Sequence, residues 1–288
     1  MIYKMKIGII GNGFVGKATN ILANDEVELI VYDIDPKLCI PVGTTLQELC
    51  NVDIIFISVP TPMNKDGSCY IGILETVIHN LKEIISLDEK LVVCRSTVPA
   101  GTCDILNCYF MPEFLTEKNF VNDFINNEHW IFGLKGIEAQ DEIFKTKIKE
   151  LINLSYQHQK ITYNNIHFVS NKEAEMIKLF RNNFLSIKVS FCNEIEEFCT
   201  KKEINYENVR RLAVLDKRIG ESHTCVPGHD GKRGFGGTCF PKDTNNLNSE
   251  MKKIGMKSFI IDGAIERNEN VDRCEKDWND NKGRAVVN

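Results

Sequence analysis

The chain has 288 residues, of which 26% are charged, and a formal net charge of −5. That length suits two domains, and a net negative charge without basic clusters argues against a nucleic-acid partner. No apolar run reaches the ~20 residues needed to span a bilayer, so no membrane partner is expected. The N-terminal MIYKMKIGIIGNG runs into a glycine motif with no small-residue cleavage site, so it does not read as a signal peptide. Eleven scattered cysteines in a chain long enough to make a core fit reduced thiols in a cytoplasmic setting rather than a disulfide framework.

In chain order, residues 6–10 form an almost wholly apolar run, the pattern of a parallel strand buried on both faces. It ends in Gly11, Asn12, Gly13, Phe14, Val15 and Gly16, with a helix-like stretch to about Asn24 and a second strand over 27–32 closed by Asp33. A G-x-G-x-x-G alone is weak evidence; set between strand and helix, with an acid about 20 residues on, it reads as a dinucleotide turn. The glycines allow a tight turn and close approach to a pyrophosphate. Asp33 would accept hydrogen bonds from the ribose hydroxyls and repel a 2′-phosphate, which favours NAD.

Further alternating units follow. Residues 52–59 read as a strand ending in Pro60-Thr61-Pro62, 71–85 as a helix, and 90–95 as a strand leading into Ser96-Thr97-Val98-Pro99. Thr61 thus sits in a stiff turn at a strand's C-terminal end, where such sheets bind ligands. Glu113, Phe114, Leu115 and Glu117 follow a proline-led turn, so the pattern leaves open whether the two glutamates share a face. A strand is expected over 129–134, a helix over 138–154 and a last strand over 166–169.

Residues 171–203 contain neither Gly nor Pro. Met176, Phe180, Phe184, Ile187, Phe191, Ile195 and Phe198 recur every three or four residues, an amphipathic stripe on a helix roughly 50 Å long. A second helix or a partner subunit is expected along it. Lys178 and Asn182, four apart and opposite the stripe, read as either a solvated polar pair or a site on the far face.

A helix is expected over 206–217, a long aperiodic loop over 219–238, helices over 241–254 and 256–273, and a frayed polar tail from Asp277. His223, Cys225, His229 and Cys239 match no common zinc spacing, so no metal is expected. The loop ends in Phe235, Gly236, Gly237, Thr238 and Cys239, followed by Phe240, Pro241, Lys242 and Asp243. Pro241 suits the first position of a helix, which places Cys239 at its positive end, where a thiolate is favoured. Lys242 adds a full charge there, and Asp243 lies about one turn on.

With these pieces in place the chain resembles the UDP-glucose/GDP-mannose dehydrogenase family over about residues 5–272. The motifs are the glycine turn at 11–16, the turn at 59–62, Ser96 to Gly101, Pro112 to Glu117, Lys178 with Asn182, and Gly234 to Asp243. The resemblance implies an α/β fold: a Rossmann-type NAD-binding domain over 1–170, an all-helical central domain over 171–276 built on one long helix, and a polar tail over 277–288. It also implies oxidation of the C6 alcohol of a nucleotide sugar such as UDP-glucose to a uronic acid with two NAD per turnover.

By that resemblance Cys239 is the nucleophile that carries a thiohemiacetal and then a thioester. Lys178 and Asn182 hold the oxyanion, Asp243 and Thr97 position water and move protons, and Glu117 serves thioester hydrolysis. Glu113, Phe114, Leu115, Glu117, Lys178, Asn182, Arg218, Phe235, Gly236 and Gly237 meet the substrate. Gly11, Asn12, Gly13, Phe14, Val15, Gly16, Asp33, Thr61, Thr97 and Lys242 meet NAD. A homodimer through the 171–203 helix is implied. The segment from Asp33 to Val52 is shorter than is usual in the family, and the family's third, nucleotide-covering domain is not expected here. Alternative readings are a shortened non-catalytic sugar-nucleotide binder or half-enzyme, and a 3-hydroxyacid dehydrogenase, which would leave Cys239 without a role.

Overall fold

The computed structural model describes residues 4–288. One compact unit comprises the described residues up to Thr61 together with Ile71–Lys178; the other comprises Pro62–Tyr70 and Leu179–Asn288. The division falls inside the long helix, a few residues past the 170/171 border expected from pattern, and it assigns the 62–70 segment to the second unit.

The first unit runs β1 Met5–Ile10, α1 Phe14–Thr19, β2 Val27–Tyr32, β3 Ile54–Ile57, α2 Gly72–Lys82, β4 Leu91–Cys94, α3 Thr102–Leu106, β5 Tyr109–Phe110, α4 Phe120–Ile125, β6 His129–Leu134, α5 Glu138–Gln157 and β7 Asn165–Ser170. The seven strands form one sheet in the order β2-β1-β3-β4-β5-β6-β7. Every pairing is parallel except β5 with β6, where Phe110 faces Gly133 antiparallel. The two-residue β5 is too short to leave a periodic signal, as are α3 and α4, and pattern reading passes over all three.

Strand alternation decides the two cores. Met5, Ile7, Ile9, Ile54 and Phe56 turn to one face and join Phe144, Ile148 and Leu151 of α5. Ile10, Ile55, Ile57 and Val92 turn to the other and join Leu74, Ile78 and Leu81 of α2. A sheet buried on both faces needs strands apolar throughout, as β3 and β4 are. The order β2-β1-β3 reverses direction at β1, and the glycine turn leaves that strand's C-terminal end, where such sheets hold ligands.

The second unit is helical. It takes the larger part of α6 Asn171–Lys201, then α7 Tyr206–Ala213, α8 Phe240–Lys253 and α9 Ile260–Arg267, followed by a π-helical turn over Asn268–Asp272. The face that α6 buries is the polar one. Asn182, Asn183, Ser186, Ser190 and Asn193 are all buried, whereas Phe180, Phe184, Phe191 and Phe198 are 55–62% exposed. Several of these groups are hydrogen-bonded: the Asn183 amide donates to the Leu179 carbonyl at 2.8 Å, and the Ser190 hydroxyl donates to the Ala264 carbonyl at 3.3 Å. Such side chains bond to nearby backbone carbonyls when buried, as most buried polar groups do. Among the described residues, no helix is long and apolar enough to cross a membrane.

The expected fraying from Asp277 is not what the chain does. The Met63 N–H donates to the Ala285 carbonyl at 2.9 Å, and the Val287 N–H donates to the Met63 carbonyl at 3.0 Å. Trp278 and Ala285 are almost fully buried. The average polarity of the tail hides these two anchors. Trp278→Ala is therefore expected to cost about 3 kcal/mol of stability; an unchanged denaturant midpoint would return the tail to a frayed end.

Candidate active site

The glycine turn is built for close backbone approach. Gly11 has φ +89°, and a Cβ there would meet the Ser58 carbonyl oxygen at 2.6 Å, while a Cβ on Gly16 would meet the Gly11 carbonyl at 2.0 Å. Gly13 faces open space, with no atom within 4 Å of where its Cβ would be. The Asp33 carboxylate accepts from the Asn12 N–H at 2.6 Å and from the Asp35 N–H at 2.9 Å, so the acid and the turn are tied together. The Asn12 amide donates onward to the Leu38 carbonyl at 2.7 Å. Phe14 and Val15 open α1. An uncovered Gly13 beside a fixed carboxylate suits a dinucleotide whose pyrophosphate crosses the turn and whose ribose meets Asp33.

At the neighbouring strand ends, the Thr61 hydroxyl donates to the Thr97 carbonyl at 2.7 Å and Ser96 donates to the Val59 carbonyl at 2.6 Å. Both threonines are buried. Deeper in the same unit, the Lys178 ammonium donates to Glu113 Oε1 at 2.6 Å with both side chains at most 6% exposed. The Leu115 N–H donates to Glu113 Oε2 at 2.9 Å, and the Lys178 ammonium lies 5.9 Å from the Phe114 ring centroid.

Burial alone would push the Glu113 carboxyl up. The Lys178 ammonium, its hydrogen bond, the Leu115 N–H and the charge of Arg95 outweigh that and hold it below its ordinary value. Burial in turn pulls Arg95 down to about 10, still charged at neutral pH. Arg95, which pattern reading missed, donates to Thr19 and stands over the Phe124 ring at 5.5 Å. Glu113 and Glu117 have different fates: the first is buried and paired, and the second is exposed in the turn.

In the second unit Cys239 is the N-cap of α8, with Phe240 as the first helical residue, so Pro241 stands one place later than expected. The first turn of α8 offers its partial positive charge to the thiol. The Thr238 hydroxyl lies 3.8 Å from Cys239 Sγ. Asp243, 1% exposed, accepts from the Lys242 ammonium at one carboxylate oxygen and from the Asn182 amide at the other, each at 2.5 Å. Burial alone would lower the Lys242 pKa, but Asp243, Cys239 and Cys69 together raise it above the ordinary value. The ammonium expected to meet NAD is thus engaged by Asp243.

Phe235 is buried, Gly236 packs against Arg273, and Gly237 faces open space. Arg218 is exposed and forked onto Asp216, with the Nε to Oδ1 distance at 3.0 Å. Lys178 and Asn182 stand one turn apart on α6, and both are buried, which excludes the solvated reading.

A two-faced, mostly parallel sheet with this turn and acid defines a dinucleotide-binding unit. Residues 42–153 match the NAD-binding domain of the UDP-glucose/GDP-mannose dehydrogenase family, and residues 172–270 match its central domain. A UDP-glucose 6-dehydrogenase of Rickettsia bellii is 28% identical, with 92% of this chain and 67% of the relative covered. The structure of a UDP-glucose dehydrogenase from Pyrobaculum islandicum superposes with a TM-score of 0.77 at 24% identity, covering 92% of this chain and 68% of that one. A Mycobacterium tuberculosis 3-hydroxyisobutyrate dehydrogenase shares the fold at a TM-score of 0.67 and 12% identity, covering 91% and 92%. The chain belongs to the UDP-glucose/GDP-mannose dehydrogenase family, its cofactor is NAD, and it spans about two thirds of the length of the first two relatives.

Glu113→Gln leaves the buried Lys178 ammonium without its counter-charge and is expected to cost about 3 kcal/mol at neutral pH. Because the Glu113 pKa is lowered on folding, its contribution is present above the unfolded carboxylate value and is lost as pH falls through the folded one. The gap between variant and wild type should narrow in acid. A gap independent of pH would mean that the pair is not ionised.

Proposed function

We propose that this protein oxidises the C6 alcohol of a nucleotide sugar, UDP-glucose or a close relative, to the carboxylate through covalent adducts on Cys239. The observation that carries the reading is the N-cap placement of Cys239 beside a half-buried lysine and a buried carboxylate held on both oxygens. A structural thiol needs none of these neighbours. A 3-hydroxyacid dehydrogenase would have no use for them, and likeness of fold alone does not favour it.

NAD, when bound, supplies the hydride acceptor for both oxidations. The residues carry the rest. Thr97 and Asp243 take the proton of the C6 hydroxyl by way of a water as the alcohol becomes an aldehyde. The Cys239 thiolate then adds to the carbonyl carbon, which creates the tetrahedral centre that an aldehyde lacks. Lys178 and Asn182 donate hydrogen bonds to the oxygen that gains charge. Loss of the second hydride leaves a thioester, and Glu117 draws a proton from the water that cleaves it, returning the thiol and releasing the acid. Glu113 keeps Lys178 charged and orients it, Phe114, Leu115, Phe235, Gly236 and Gly237 shape the sugar site, and Arg218 meets the sugar from a second subunit.

Cys239→Ser is the direct test. The first oxidation requires no covalent adduct, and the second does. The variant is expected to bind NAD normally while sugar-acid formation, followed by chromatography, falls by several orders of magnitude, on the order of 5 kcal/mol of barrier. Acid formation near the wild-type rate would make the thiol structural. Tight nucleotide-sugar binding with no turnover in the wild type would favour a non-catalytic binder.

We infer also that the chain forms a homodimer along α6. The support is its row of exposed phenylalanines, with Phe180 and Phe184 stacked at 6.3 Å between ring centroids. An apolar strip along so long a helix is what a self-complementary interface covers. Light scattering should give a dimer mass at micromolar concentration, shifting to monomer in Phe184→Asp/Phe191→Asp. A monomeric wild type would sink this assignment.

A further inference from the structure

The turn that delivers Cys239 is held from below by residues outside every motif discussed so far. Phe235 is buried, and its backbone is gripped at both ends by one side chain: its N–H donates to Asn268 Oδ1 at 2.7 Å, and its carbonyl accepts from Asn268 Nδ2 at 2.9 Å. Asn268 is 0% exposed. The next residue, Gly236, rests on the Arg273 guanidinium so closely that a Cβ would lie 2.5 Å from Arg273 Cζ. Arg273 is itself held by Asp230 at 2.7 Å and by both oxygens of Asp277 at 2.8 and 2.9 Å. On the α6 side, the Gly234 N–H donates to Asn193 Oδ1 at 3.2 Å.

Asn268 and Arg273 bracket the π-helical turn that follows α9, and the Arg273 N–H closes it onto the Asn268 carbonyl at 2.8 Å. A π-turn gives up regular helical hydrogen bonding, and such turns concentrate where side-chain placement matters more than helix stability. Here it lets two side chains from one short segment reach successive residues of the glycine turn. The turn is fixed at 234–236, whereas Gly237, Thr238 and Cys239 beyond it are at least partly exposed. The anchor therefore sets where the thiol stands.

We propose that Asn268 is a positioning residue for Cys239: its two-way hydrogen bond to Phe235, backed by Arg273 beneath Gly236, sets the location of the thiol for attack at C6. This rests on the reading of Cys239 as the nucleophile. Only an amide of this length serves. Aspartate keeps the acceptor and loses the donor, and glutamine is a carbon too long for a site in which a Cβ on Gly234 would already meet Asn268 Oδ1 at 2.3 Å.

The test is Asn268→Asp in the full chain. Its readouts are the iodoacetamide alkylation rate of Cys239, followed by peptide mass spectrometry across the neutral and alkaline range, and kcat and KM with UDP-glucose and NAD. Displacement of a reacting group by about an ångström costs on the order of 100-fold in rate, so kcat should fall about that far with KM nearly unchanged. The pH profile of alkylation should move. The deficit should also shrink as pH falls, because a protonated aspartate regains a donor for the Phe235 carbonyl. Asn268→Ser, which leaves room for a bridging water, should show the same split at smaller amplitude.

Unaltered alkylation and kcat with a lowered Tm would make Asn268 merely structural and overturn the proposal. So would failure of both variants to fold. If the wild type turns over no nucleotide sugar, the functional reading falls, and the alkylation profile still decides whether Asn268 places the thiol.

Discussion

The carboxylate of Asp243 is the interaction on which the helical unit depends. One oxygen takes the Lys242 ammonium and the other takes the Asn182 amide, so a single buried side chain ties the first turn of α8 to the middle of α6. The Asn183 amide adds a bond to the Asp243 carbonyl at 3.2 Å. An ion buried to this degree is tolerable only when it is paired and hydrogen-bonded. Loss of any one partner would leave charge or dipole stranded, so the arrangement holds together as a unit. Cys239 lies four residues earlier on the same turn, and its carbonyl accepts from the Asp243 N–H at 2.9 Å.

The same logic governs the sheet unit, with different partners. Glu113 sits between Lys178 and Arg95 in a nearly dry environment, and the two cations outweigh the cost of burying its charge. Buried ion pairs contribute little net stability against an apolar alternative. Their retention here fits a role in keeping an ammonium charged and aimed. Each unit thus buries a carboxylate against a lysine, and in each the lysine lies in a segment shared with the enzyme family.

Helix α6 shows where reading by pattern goes astray. Its phenylalanines have helical spacing, and the usual inference turns such a stripe inward. In this chain its phenylalanines face out, Met176, Ile187 and Ile195 are half-buried, and the asparagines and serines face in. Hydrophobic periodicity reports which residues share a face, but not what covers that face. Asn268 and Arg273 were invisible for a related reason: they contact the turn at residues more than thirty positions earlier, and no local spacing encodes such contacts.

What the sequence by itself determined is local and periodic. The strand over 27–32, the glycine turn with Asp33, the Gly- and Pro-free helix and the cysteine ahead of α8 all follow from backbone sterics and side-chain period, which act over a few residues. Tertiary structure alone decided the rest. It set Glu113 rather than Glu117 against Lys178, gave Lys242 to Asp243, turned the polar face of α6 inward, and anchored the tail through Trp278 and Ala285. These are choices among partners distant in sequence. They are settled by which buried polar groups can satisfy one another once the chain has closed, and that condition has no expression in local pattern.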